Sequence, residues 1–183
     1  MSLRALRSIL DLLLVTSIGI LVVGAINWYP QLPVRIAIHL NATGEPDGWA
    51  ARTPLTWGLP AALGLILAAI FRRLITWLDG SAAASPHSIN VPDRKRFVAL
   101  SVDQRRTALQ PTALYLRYVA VLVLFLFIYV QEGIGRVSTG ASATWPVWPV
   151  LLLVLGILAP LPSLVRSTRR RIELAHGSTP ASR

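Results

Sequence analysis

Four side chains able to bind a metal, move a proton or grip a ligand crowd into one short stretch: His39, Asn41, Glu45 and Asp47. They lie in YPQLPVRIAIHLNATGEPDGW, residues Tyr29–Trp49. An imidazole with two carboxylates suits a divalent cation, with Asn41 as the nearest fourth group. The same residues suit a braced turn, in which Asp47 accepts backbone amides and His39 hydrogen-bonds within the loop. A turn-rich loop on a rigid scaffold is also a natural place to contact an external ligand. Metal binding by His39, Glu45 and Asp47, structural bracing and ligand contact therefore all stay open. Other chemistry is poorly served. The chain has no cysteine, no Gly-rich phosphate loop, no H-E-x-x-H and no nucleophile elbow. No catalytic residue and no cofactor is read from it, and the expectation is a non-enzymatic protein.

Charges inside apolar spans are the second place where chemistry is expected, because they are costly and usually paired. Asp11 lies near the start of the first apolar run and Arg117 near the start of the third. One reading pairs Asp11 with Arg117. The other pairs Asp11 with Arg7 one turn earlier and lets Arg117 snorkel alone.

The elements that carry these residues are membrane spans. Of the 183 residues, 54% are hydrophobic and 14% charged, against about 25% charged in an ordinary soluble domain. Mean hydropathy is +0.57. Apolar runs at Ile9–Ile26, Leu55–Ile70, Thr112–Val130 and Val147–Val165 each approach the roughly 20 residues a bilayer needs. The expected fold is an all-α membrane protein with four transmembrane helices. An irregular Pro/Gly-rich extracytoplasmic loop joins helices 1 and 2, and within it the apolar, β-branched Val34–Leu40 suits a short strand or a membrane-hugging segment. Gly64 and Ala68 in the second span suit either close contact with another helix or a plain lipid-facing helix. The third span is expected to end at Gln131-Glu132-Gly133, with a loop over Ile134–Thr144. Glu132 and Arg136 read there as a solvated pair.

The net charge of +10 would suggest nucleic acid in a soluble protein. Here the basic residues flank apolar spans, so nucleic acid is set aside. Fourteen fall in the N-terminus, the 71–111 loop and the C-terminal tail, against three in the other connections. The positive-inside rule then puts both termini in the cytoplasm and residues 29–54 outside. The basic loop reads as a topology signal attracted to anionic lipid, or as a dock for a cytoplasmic partner. Residues 167–183 read as a basic, disordered tail.

The segment LPVRIAIHLNATGEPDGWAAR resembles the bacterial domain-of-unknown-function 1648 family, whose pattern follows a first transmembrane helix. Leu32, Pro33, Ile36, His39, Gly44, Pro46, Asp47, Gly48 and Trp49 carry the likeness. Asn90, Pro92 and Lys95 resemble the family's cytoplasmic loop motif. The resemblance covers residues 1–133, leaving 134–166 as the fourth span with its preceding loop. It implies a small multispanning protein of the bacterial inner membrane. The same domain opens Sdp-type immunity proteins, which protect against a secreted peptide toxin. An immunity or sensing role toward an extracytoplasmic peptide or envelope ligand is therefore expected, with the lipid bilayer and a second copy of the chain as further partners. Pro33, His39, Gly44, Glu45, Pro46, Asp47, Gly48 and Trp49 are expected to contact the ligand or brace the loop. A metal-dependent membrane enzyme and a small transporter component are the alternatives.

Overall fold

The computed structural model describes residues 2–177. Four helical stretches are long and apolar enough to cross a membrane: Leu3–Gln31, Pro54–Gly80, Val102–Ser138 and Trp148–Gly177. The protein is thus a predominantly helical, multi-pass membrane protein. Its elements run α1 Leu3–Trp28, β1 Arg35–Leu40, β2 Pro46–Ala51, α2 Pro54–Trp77, α3 Arg94–Ala99, α4 Val102–Ser138, α5 Trp148–Leu158 and α6 Leu161–Gly177. They form two compact units, residues 1–69 with 120–156, and residues 70–119 with 157–183.

The first unit contains α1, the hairpin, the first part of α2, the last part of α4, and most of α5. Ser2 caps α1 by accepting the Ala5 N–H at 3.2 Å. Leu10, Leu14, Ser17 and Leu21 form its buried stripe at helical spacing. Most other α1 side chains are exposed, as suits a lipid-facing helix. Ser17 answers its own hydroxyl by donating to the Leu13 carbonyl at 2.7 Å. Gly64 of α2 is buried, and a Cβ there would stand 2.8 Å from Leu21 Cδ2 and 3.3 Å from Phe127 Cβ. Gly64 therefore serves close helix contact rather than facing lipid.

Two expectations are corrected in this unit. The 29–54 connection is not irregular. Its arms pair as an antiparallel two-stranded sheet, because Val34–Leu40 is rich in apolar and β-branched residues and a Gly-containing turn closes it. The third span does not stop at Gly133. α4 continues to Ser138, and Gly140, at φ +74°, ends it as a left-handed C-terminal glycine whose N–H donates to the Val137 carbonyl.

The second unit is a helical cluster around Leu78, Ala82, Phe97, Leu100, Leu109 and Ile172. Phe97, Leu100 and Leu109 of the basic loop region are thus core residues. Ser101 and Gln104 open α4 with a capping box: Ser101 N–H donates to Gln104 Oε1 and Gln104 N–H to Ser101 Oγ. Pro111 sits inside α4 and cannot donate to the Thr107 carbonyl. The Arg171 guanidinium of α6 supplies that donor at 3.1 Å. Residues 167–177 are accordingly helical rather than a disordered tail, with Ile172 fully buried. The rest of that tail, 178–183, lies outside the described residues.

Candidate functional site

The stretch with the densest chemistry becomes a hairpin whose register is deliberately uneven. Ala37 faces Trp49, His39 faces Gly48 and Leu40 faces Pro46. Ile38 is thus an extra residue in β1, and Asp47 an extra residue in β2. Such bulges twist a strand and re-aim side chains. Here they bring His39 Nδ1 to 2.5 Å from Asp47 Oδ1. Both side chains remain largely exposed, at 69% and 46%. A Cβ on Gly48 would approach within 3.0 Å of His39 Cβ, so glycine at 48 leaves room for His39 across the sheet.

The turn is built by Asn41. Its Oδ1 accepts from Thr43 N–H, Thr43 Oγ1 and Glu45 N–H, at 3.0, 2.6 and 3.0 Å. Gly44 takes φ +84°, a conformation that costs other residues roughly 1–2 kcal/mol. It also has no room for a side chain, since a Cβ would strike the Trp145 carbonyl. Glu45 is exposed and accepts from the Asn41 amide at 3.4 Å. It does not complete a metal cage with His39 and Asp47. No group of three His, Asp or Glu side chains able to hold a metal occurs among the described residues.

Residues from the far end of the chain hold the hairpin in place. Ser138 Oγ accepts the buried Ala37 N–H at 2.9 Å. Trp145 N–H donates to the Gly44 carbonyl at 2.9 Å. Leu32 and Ile36 pack with Trp57 and Ile134. Trp57 Nε1 donates to the Ala25 carbonyl at 2.7 Å. Arg52 donates to the Leu32 carbonyl and stacks over Tyr29.

Glu132 is the hub beneath. It accepts from Trp28 Nε1 at 2.8 Å and from Arg136 Nε at 2.6 Å. The Arg136 guanidinium in turn lies over the Trp145 ring. Gly133 and Gly135 let the Trp145 and Trp28 rings lie against α4, for a Cβ at either position would clash with them. Glu132 and Arg136 are therefore more than a solvated pair. Sequence spacing reveals their i,i+4 relation but not the indole one hundred and four residues away.

Hollows open beside the site among the described residues. One, about 240 Å³, opens beneath Ile38–Leu40 against Tyr129, Ile134 and Trp145. A second, about 570 Å³, is walled by apolar side chains of α4 and α5 and by Trp145, with Glu132 the sole charged lining residue among those described. Two buried polar groups here lack a hydrogen-bond partner among the described residues, the Gln131 amide and Trp145 Nε1. Neither was legible in sequence as a site residue.

The remaining expected residues sit elsewhere. Pro33 is exposed just ahead of β1, Pro46 pairs with Leu40, and Trp49 is 41% exposed on β2. Asp11 lies on α1 in the first unit. Arg117 lies on α4 in the second unit, buried, with its guanidinium 3.5 Å from Asp79 and donating to the Ala113 carbonyl. It does not snorkel alone, and Asp79 is a partner the sequence reading missed. Asn90 and Lys95 are exposed and Pro92 half-buried, all in the second unit.

Residues 15–64 match the family model of a domain of unknown function, DUF1648. No curated protein and no solved structure matches the chain.

Proposed function

We propose, for a chain that carries a DUF1648 domain from α1 through the hairpin into α2, a non-enzymatic role in the bacterial inner membrane. Both termini are cytoplasmic. The hairpin faces outward and engages a peptide or envelope ligand, as an immunity or sensing protein would. The observation that carries this reading is the hollow beneath the hairpin. Ile38 and His39 line it while staying exposed, at 50% for Ile38 and 69% for the His39 side chain. A ligand side chain inserted there would meet apolar walls. Asp47 and Trp49 stand on the paired strand, giving charge and aromatic area at the rim, the mix that recognition surfaces favour. Among the described residues β2 pairs with β1 alone, so its other edge is free of a strand partner there and suits an extended peptide adding as a strand. Bracing by Ser138 and Trp145 lowers the ordering cost of binding. The basic residues flanking the spans support the orientation.

The test is survival of a peptide-sensitive bacterial strain expressing the protein. Wild type should protect against at least one peptide of a secreted-toxin panel. The Ile38→Ala/Trp49→Ala variant should lose protection at equal membrane abundance. Unchanged killing across the panel, with the protein folded in the membrane, would reject the immunity reading.

A further inference from the structure

A hollow of about 430 Å³ in the second unit belongs to none of the above. We propose that it binds the acyl-ester region of an anionic phospholipid. Its walls are mixed: Trp77, Leu78 and Val165 are apolar, while Asn90, Thr112 and Thr168 carry neutral hydrogen-bonding groups. Thr168 is 2% exposed, and its Oγ1 has no hydrogen-bond partner among the described residues. Other hydroxyls of this unit, on Ser88, Thr107, Ser163 and Ser167, each donate to a nearby backbone carbonyl. A buried hydroxyl left unanswered forfeits its hydration without return. An ester carbonyl of a bound lipid is a neutral acceptor of the right kind, and apolar walls receive the chain beside it.

Charge selects the headgroup. Among the described residues no charged side chain lines the hollow, which disfavours a small soluble anion inside it. Yet the second unit holds thirteen of the eighteen basic residues against four of the eight acidic ones. Arg94, Lys95 and Arg96 follow the Asn90–Pro92 wall after Asp93, and Arg166 and Arg169 bracket Thr168 in the chain. Some are engaged, Arg96 with Asp93 and Arg169 with Glu173, but the excess favours an anionic lipid. The position agrees, since Trp77 lies three residues from the end of the second helical stretch, Pro54–Gly80, and just past the basic pair Arg72-Arg73, where an indole marks the membrane–water interface. Asn90 and Pro92, singled out in the sequence as a loop motif, become part of a wall.

The full chain in detergent micelles would be titrated with brominated phosphatidylglycerol and brominated phosphatidylcholine. Tryptophan quenching is read in wild type and Trp77→Phe, and their difference isolates Trp77. Phosphatidylglycerol should quench Trp77 at lower concentration than phosphatidylcholine. Thr168→Val and Asn90→Ala should each raise the half-quenching concentration by about threefold to tenfold, the worth of one hydrogen bond. Equal quenching by the two lipids would overturn the proposal, as would indifference to both substitutions. Competition by acyl-free glycerol phosphate at matching potency would also overturn it, in favour of a soluble phosphate. Should Thr168→Val fail to fold, exposed Asn90→Ala decides alone.

Discussion

Gly44 and Gly140 separate two reasons for a glycine. Both have positive φ, but only Gly44 faces backbone atoms where a Cβ would go. Gly140→Ala should cost about 1 kcal/mol from the dihedral alone. Gly44→Ala adds a collision with the Trp145 carbonyl and should cost at least twice that. Thermal unfolding of the two variants in detergent, side by side, checks the difference; equal losses would mean the tip is free to move off Trp145. Glu132 offers a second contrast. Glu132→Ala strands the Trp28 indole N–H and the Arg136 guanidinium and should destabilise by about 1–3 kcal/mol. Glu132→Gln keeps an acceptor and should lose less. At Arg117, a double-mutant cycle with Asp79→Asn and Arg117→Gln should give a coupling of about 1 kcal/mol; strictly additive losses would show that the 3.5 Å approach contributes nothing.

At the scale of elements, the hairpin depends on partners outside it, because two strands alone are marginal in water. Ser138→Ala would leave the buried Ala37 N–H without its acceptor. We expect a loss of about 1–3 kcal/mol and faster hydrogen exchange at Ala37, with exchange in α1 unchanged. This also marks what sequence could and could not say. Asn41, Gly44 and the Pro46-Asp47-Gly48 run announce a turn through local chemistry, and the flanking apolar residues announce something extended. The four spans announce themselves by hydropathy. The pins do not, for Ser138 and Trp145 are ordinary residues in a small polar loop until the fold sets them against β1 and Gly44. The bulges at Ile38 and Asp47 are equally silent, since pairing register belongs to two strands jointly. The end of α4 was misread for a related reason. Gly133 and Gly135 weaken a helix by local propensity, but tertiary packing against Trp28 and Trp145 outweighs it.

For the whole molecule, orientation is the claim with the widest reach. The chain lacks cysteine, so single cysteines can be introduced without background. Glu45→Cys, on the exposed hairpin tip, should react with a membrane-impermeant maleimide in intact cells. Ser88→Cys, between α2 and α3, should react only after permeabilisation. The reverse pattern would turn the protein over and remove the hairpin from any external ligand. A label on both sides would indicate mixed insertion, which the lopsided basic residues argue against.

The bond between Ala37 and Ser138 also sets a clock. Its two ends are one hundred and one residues apart, and Gly44 waits as long for Trp145. A ribosome working at about 5–20 residues per second needs roughly 5–20 s to cover that gap. Through that interval β1 and β2 have emerged, held by Arg52 and Trp57, but the Ser138 and Trp145 contacts do not yet exist. A nascent chain that stalls before residue 138 therefore presents a hairpin without its Ser138 and Trp145 contacts. Synthesis through Trp145 is, in this sense, what closes the latch.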